Sequence, residues 1–354
     1  MKISIEKNKM PKTKPSAQEP LGFGRIFTDH MFLMNYEEGK GWFDPRIVPY
    51  QTINLDPAAM VLHYAQAVFE GLKAYRTSDG AIKLFRPEKN FVRLNISSER
   101  LCIPQIDTAF ALKALKELIR VDQDWIPEAD GTSLYIRPYI IGTDSHIGVQ
   151  PSNSYLFIII LSPVGSYYPE GINPVKIYVE SEYVRTVKGG IGHTKAAANY
   201  VTGLKSQMLA HERGFTQVLW LDGVQRKYIE EVGTMNIFFK IDGKIITPSL
   251  QGSILPGVTR DSVIELLRDQ GYDVTEREIS IDEVYEAHQN HKLEEIFGTG
   301  TAAVISPVGE LAWGDKTMKL SDGKIGELST RLYDTITGIQ YSKADDRFGW
   351  MIEV

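Results

Sequence analysis

The chain has 354 residues, 43% hydrophobic, 24% charged and 10% aromatic. That composition excludes collagen-like, coiled-coil and disordered polymers, and at roughly 100–200 residues per domain the length points to two domains or three. A single cysteine, Cys102, excludes an intrachain disulfide and a cysteine-based zinc cluster. Lysine and arginine number 39 against 45 acids, a net charge of −6, which speaks against a nucleic-acid partner. The longest apolar run, residues 155–161, is far short of the ~20 that a membrane span needs. A soluble, cytoplasmic chain without a membrane partner is expected.

Residues 1–20 are polar and rich in lysine and proline, without a signal peptide's apolar core or a transit peptide's arginines. They are expected to form a flexible leader. Residues 23–85 read mainly as strands, at 26–36, 68–75 and 81–85, with breaks such as Asp79-Gly80. Pro87 suits the first turn of a helix, and the spacing of Phe91 and Leu94 predicts one over 88–101. A second helix is predicted over 108–121, where Phe110, Leu112, Leu115 and Leu118 recur at helical intervals. Two apolar strands follow at 134–141 and 155–161, the second apolar enough for burial on both faces. A sheet with helices laid against it is an α+β pattern.

Periodicity stops at 164–174, rich in glycine, proline and tyrosine. This loop divides a small N-terminal domain, 21–163, from a large C-terminal domain, 175–354. The larger domain reads as a strand at 175–179, a glycine-rich loop at 188–193, and a helix over 195–212 supported by Ala197, Val201, Leu204 and Met208. Strands at 217–221, 235–240 and 244–246 and helices at 259–268, 281–287 and 324–341 complete it. There is no internal repeat.

Four stretches carry candidate chemistry. In GGIGHTKAAANY (189–200), Lys195 stands where a glycine loop meets a run of three alanines. A lysine so uncrowded suits Schiff-base chemistry when desolvation frees its amine, although the same pattern fits an exposed lysine on an ordinary helix. In EEVGTMNIFF (230–239), one of the adjacent acids Glu230 and Glu231 must point inward on a strand and needs a cationic partner, such as a protonated pyridine nitrogen. The alternative is a bulge or turn with solvated acids. LPGVTRDS (255–262) ends in a helix start that favours a phosphate, and FGTGTAA (297–303) offers hydroxyls and amides in a glycine turn. Each alone also fits a helix cap or tight turn; together they suggest one phosphate held by several segments. The histidines make no metal-binding spacing, and no GxSxG nucleophile motif occurs.

With FTDHM (27–31), HYAQAVFEGLKAY (63–75), LFRPEKNFVRL (84–94) and LYIRP (134–138), these stretches make eight motifs in order. In them the chain, from about residue 23 to 340, resembles the branched-chain aminotransferases, pyridoxal-phosphate enzymes of fold type IV. The resemblance implies two α/β domains with the cofactor, pyridoxal 5'-phosphate, at their interface. It implies that Lys195 forms the Schiff base and moves the proton, that Glu231 faces the pyridine nitrogen, and that Tyr200 bonds the cofactor's 3′-oxygen. Arg93, Val258, Thr259 and Thr301 would cup the phosphate. Phe23, Tyr64, Phe69, Tyr135, Arg137, Val149, Thr234 and Ala302 would form the substrate pocket, with no metal. Arg137, at the rim, would take glutamate's γ-carboxylate and lie idle for leucine.

The implied activity moves an amino group between leucine, isoleucine or valine and 2-oxoglutarate. A loop near 146–149, placed by the family over the other subunit's site, implies a homodimer. Ala303 and Ser306 stand where animal members carry a Cys-x-x-Cys redox pair, so thiol regulation there is not expected. A D-amino acid aminotransferase or an aminodeoxychorismate lyase would share Lys195, Glu231 and the phosphate cup; LYIRP and the EEVGTMN–LPGVTR pair favour the branched-chain enzyme. A non-catalytic scaffold would have lost one of Lys195, Glu231 and Tyr200, and all are present.

Overall fold

In a computed structural model, which describes residues 1–16, 19–165, 172–320 and 323–354, the chain divides into two units. The first comprises residues 1–167, 194–198 and 338–354; the second comprises 168–193 and 199–337.

The first unit begins with β1 (Ser4–Ile5), β2 (His30–Glu37), β3 (Gly41–Pro49), α1 (Met60–Tyr64), β4 (Ala67–Phe69), β5 (Leu72–Arg76) and β6 (Ile82–Phe85). Helices α2 (Pro87–Arg100) and α3 (Thr108–Val121) follow, then strands β7 (Ser133–Gly142) and β8 (Ser154–Val164). The sheet order is β1-β3-β2-β8-β7-β5-β6, with β4 on β7 and the terminal strand Met351–Glu353 beside β6. Strand β8 is apolar on both faces because each face has a core. Phe157, Ile159 and Leu161 join α2 and α3 residues such as Phe91, Leu94, Leu115 and Leu118, while Leu156 and Ile158 join Met31, Val48 and Ala67 on the other side. Helix α3 starts where Asp107 accepts the Phe110 N–H at 3.1 Å, a side-chain cap.

The second unit carries β9 (Val175–Val179), α4 (Ala198–Val201), α5 (Leu204–Glu212), β10 (Gln217–Leu221), β11 (Ile229–Val232), β12 (Asn236–Ile241) and β13 (Lys244–Thr247). It continues with α6 (Val258–Asp269), β14 (Val274–Glu276), α7 (Ile281–Gln289), β15 (Leu293–Gly300), β16 (Val304–Trp313), β17 (Lys316–Lys319) and α8 (Glu327–Gln340). Its sheet runs β11-β10-β9-β16-β15-β12-β13-β14, with β17 on β16.

The leader expected to be flexible is tied down. Ser4 and Ile5 pair in parallel with Arg46 and Ile47, and the Lys12 N–H donates to Asp29 at 2.8 Å. The strand expected from residue 26 begins at His30, and β3, which none of the expected strands covers, holds Pro45 and Pro49. The helix expected from 195 begins at Ala198 and is interrupted after Val201, where the Thr202 hydroxyl donates to the Asn199 and Arg185 carbonyls. Its apolar stripe does not face a core: Val201, Leu204 and Met208 are 64%, 65% and 47% exposed. The glycine turn expected over 297–303 is strand as far as Gly300, paired with β12 and β16. Of the loop expected over 164–174, residues 166–171 lie outside the described residues.

Candidate active site

In the first unit the chain around Lys195 is extended rather than helical. The Lys195 N–H donates to Ser97 Oγ at 2.9 Å, and its carbonyl accepts the Phe69 N–H at 3.0 Å. Ala196 bridges Val68, and the Ala197 N–H donates to Ala67 at 3.0 Å. These bonds lay the segment beside β4 and outcompete the helix that an alanine run favours locally. The half-buried Lys195 amine then sits 4.8 Å from the Phe69 ring centroid, a cation–π distance.

Glu70 follows Phe69 and has no exposed surface. A carboxylate buried so deeply needs its charge met. Arg93 meets it with a fork, Nε at 2.7 Å and Nη2 at 2.9 Å, and Asn90 Nδ2 adds a bond at 2.8 Å. Burial would raise the Glu70 carboxyl, but the Arg93 charge and hydrogen bond, the charge of Lys195 and the Asn90 bond hold it below its ordinary value. This carboxylate engages two of the five donors on Arg93.

Phe23 packs edge-on against Tyr135 at 4.9 Å, Arg137 Nη2 donates to the Tyr135 hydroxyl at 3.2 Å, and the Arg137 guanidinium lies 4.7 Å from the Phe69 centroid. Phe23, Tyr135, Arg137, Phe69 and Lys195 are therefore one connected cluster, aromatic with two cations. Tyr64 donates its hydroxyl to the Ile147 carbonyl instead, which ties it to the 146–149 loop, and Val149 in that loop is 88% exposed.

In the second unit both acids of the Glu230–Glu231 pair are buried, although only one was expected to turn inward. Each has found its own partner. Glu231 Oε2 lies 3.0 Å from Arg185 Nε, and Oε1 accepts the Leu255 N–H at 2.9 Å. Glu230 accepts the Ser253 hydroxyl. Arg185 also gives Nη2 to the Ser253 and Gly192 carbonyls. The crowding explains one glycine of the loop: a Cβ on Gly192 would lie 2.3 Å from Ser253 O.

Val258 and Thr259 form the first turn of α6 and are both buried. No side chain caps this helix, whose N-cap is Gly257. A Cβ at 257 would strike Asn236 Oδ1 at 2.1 Å, so a capping serine or aspartate does not fit. An uncapped helix start presents backbone N–H groups and the positive end of the dipole, the chemistry of a phosphate site. Tyr200 lies half-buried on α4, Thr301 and Ala302 half-buried in the β15–β16 turn, and Thr234 exposed between β11 and β12. The chain's residues 67–311 match the amino-transferase class IV family model.

The chain belongs to the class IV amino-transferase family.

It is 61% identical over 354 residues, all of this chain and 97% of the relative, to branched-chain-amino-acid aminotransferase 2 of Bacillus subtilis (strain 168). It is 56% identical over 353 residues to branched-chain-amino-acid transaminase 1 of the same organism, covering 99% of each chain. Among solved structures it resembles the Escherichia coli branched-chain amino acid aminotransferase, with a TM-score of 0.75 at 26% identity over 91% of this chain and 98% of that one. In fold it is also similar to the branched-chain amino acid aminotransferase from Thermobaculum terrenum in its PLP-form, with a TM-score of 0.73 at 23% identity over 91% of this chain and 97% of that one. The two-sheet α+β fold of this class IV amino-transferase is that of these structures.

Sequence reasoning missed Glu70 and Arg185. Glu70 stands in AVFEGL (67–72), where its immediate neighbours are apolar and an acid signals a buried pair. Arg185 carries no motif; the rule that a buried Glu231 needs a cation demanded a partner but could not say which residue supplies it. No helix of the described residues is long and apolar enough to cross a membrane, and no cluster of His, Cys, Asp or Glu there could hold a metal ion.

Proposed function

We propose that this class IV amino-transferase holds pyridoxal 5'-phosphate and moves an amino group between L-leucine, L-isoleucine or L-valine and 2-oxoglutarate, giving branched 2-oxo acids and L-glutamate. The observation that carries the reading is the Lys195 amine, fixed by backbone bonds to β4 and α2 and set against Phe69 in an aromatic cluster with Arg137. Full-length identity of 61% to a branched-chain-amino-acid aminotransferase supports it.

Bound pyridoxal phosphate would supply an electron sink for charge developing at the substrate Cα. Lys195 would hold the cofactor and, once released, take the proton from that carbon and deliver it to C4′ of the cofactor. Glu231, kept anionic by Arg185 and the Leu255 N–H, would hold a proton on the ring nitrogen. Tyr200 would bond the 3′-oxygen. Arg93, the N–H groups of Val258 and Thr259, and Thr301 would grip the phosphate, for which the uncapped start of α6 is chemically suited.

Phe23, Tyr64, Phe69, Tyr135, Val149, Thr234 and Ala302 would enclose the substrate. Arg137 would bind the γ-carboxylate of glutamate and stand aside for an aliphatic chain. One enclosure serving the two substrates in turn makes the reaction ping-pong. A homodimer is part of the proposal, supported by the exposed apolar side chains Leu62, Ile147 and Val149 and by Val201, Leu204 and Met208. So are a cytoplasmic location and the domain division at 164–174.

The test is the absorption spectrum of the purified protein, wild type and Lys195→Ala, before and after L-leucine. A bound chromophore that bleaches only in wild type is expected. A wild-type protein that stays colourless with added pyridoxal phosphate, or that prefers D-alanine to L-leucine, overturns the reading.

A further inference from the structure

Helix α2 carries a polar stripe that is buried. Asn90, Arg93 and Ser97 stand at i, i+3 and i+7 and so share one face. Asn90 and Arg93 close on Glu70, and Ser97 Oγ accepts the Lys195 N–H at 2.9 Å. Phe91, Leu94 and Ser98 repeat the same spacing one residue later, on the face where Phe91 and Leu94 join the core. Neither serine has exposed surface, yet the Ser98 hydroxyl has no hydrogen-bond partner. The bond to Lys195 is what separates these two neighbours.

The segment through Lys195 is thus held from two elements. Strand β4 holds it backbone to backbone, through Phe69 and Ala67, and α2 holds it through the Ser97 side chain. Arg93 lies one helical turn before Ser97, about 6 Å along the axis. Arg93 in turn grips Glu70, the residue after the Phe69 whose N–H bonds the Lys195 carbonyl. Lys195 and Arg93 are therefore referred to a single rigid turn of helix. Pyridoxal phosphate bears its aldehyde and its phosphate arm on neighbouring ring carbons, so an amine and a guanidinium that serve both must keep one spacing. A displacement of about 1 Å is enough to cost a catalytic group about a hundredfold in rate.

We propose that Ser97 is a positioning residue for Lys195. Its hydroxyl ties the lysine backbone to the helix turn that carries Arg93, and so fixes the spacing of the amine and the guanidinium. The catalytic consequence rests on the roles proposed for Lys195 and Arg93; the bond itself does not.

The experiment compares wild type with Ser97→Ala and Ser98→Ala, two changes that gain helix propensity alike. Amide exchange at Lys195, read by mass spectrometry with fragmentation to single residues, is expected to be slow in wild type and in Ser98→Ala. In Ser97→Ala it is expected to quicken about tenfold or more. In a single turnover with L-leucine, Ser97→Ala is expected to lose about tenfold to a hundredfold in rate, with half-saturating leucine changed by less than about twofold. The isotope effect from deuterium at the leucine Cα is expected to rise, which a loss of stability alone would not bring about. Ser97→Cys, which keeps the size and weakens the acceptor, takes the place of the alanine variant if that chain does not fold. A Lys195 amide that exchanges in wild type like an unstructured one overturns the proposal without any variant. A Ser97 variant that matches Ser98→Ala in exchange, or in the leucine reaction, overturns it too. A wild-type chain that takes no pyridoxal phosphate, or that L-leucine does not bleach, fails the proposed function instead, and exchange at Lys195 still reads the bond.

Discussion

Arg185 Nε stands 3.0 Å from Glu231 Oε2, and both side chains are more than nine-tenths buried. Attraction at that distance and depth must offset the desolvation of two charges, and it does so only while both are present. The pair is thus a device for keeping Glu231 ionised where burial alone would neutralise it. Removing the arginine turns an asset into a liability. Arg185→Ala is expected to cost about 3–5 kcal/mol of stability and to weaken retention of pyridoxal phosphate. Arg185→Ala combined with Glu231→Gln is expected to regain part of the stability but not the cofactor. A thermal and fluorescence-quenching double-mutant cycle checks this; an additive double variant would mean that the two side chains do not interact.

Glu70 gives a prediction with a definite pH window. Its folded carboxyl is held below the ordinary 4.5, so between that value and the depressed one the unfolded chain binds the extra proton. The pair with Arg93 therefore stabilises fully above about 4.5, and its contribution fades as pH falls through the folded value. Glu70→Gln leaves Arg93 buried and unmatched, and near neutrality it is expected to be destabilised by about 3–5 kcal/mol. Below pH 4.5 its stability is expected to fall less steeply than that of wild type. Urea denaturation from pH 7 to 3 reads both, and parallel curves would refute the assignment.

Lys73 on β5 runs the other way. It is 8% exposed, and burial pulls its amine down to about 8 from 10.5. Between those values the unfolded chain holds more protons, so stability rises with pH across that window, and the burden is complete below pH 8. Lys73→Met keeps the stem and drops the charge. It is expected to gain up to about 3 kcal/mol at pH 7 and to lose the rise between pH 8 and 10.5. Denaturant melts at pH 7, 8.5 and 10 check it; a less stable methionine variant at pH 7 would show that the ammonium stabilises the fold.

Arg137 bonds the Tyr135 hydroxyl and lies over Phe69, at the place where an aliphatic chain and a carboxylate would have to be told apart. A hydrogen bond to a charged group contributes about 1.5–3 kcal/mol. Arg137→Ala is accordingly expected to lower kcat/KM for 2-oxoglutarate at least tenfold more than for L-leucine. Separate half-reaction kinetics measure the ratio, and equal losses would remove Arg137 from substrate discrimination.

Much of the fold was written in local patterns. Helix α3 has the residues that its periodicity predicts, because Asp107 caps it and its apolar face recurs every third or fourth residue. Strand β8 declares burial on both faces by lacking any polar alternation. The helix expected through Lys195 failed for an equally specific reason: hydrogen bonds to Ala67, Phe69 and Ser97, far away in sequence, overrode the alanines. Likewise the apolar stripe of Val201, Leu204 and Met208 has helical spacing, but spacing cannot say whether a core or another surface covers it.

The sequence by itself determined the inventory of chemistry and its order along the chain: a lysine after a glycine loop, paired acids on a strand, an arginine on a helix and a glycine before a helix start. Those are properties of neighbours, set by backbone sterics and side-chain type. Only the tertiary structure decided which charge meets which. It gave Arg93 to Glu70 and Arg185 to Glu231, and it left Glu230 with one oxygen unmet. A buried charge is tolerable only beside a partner within a few ångströms, and distance in space is fixed by the packing of strands and helices remote along the chain.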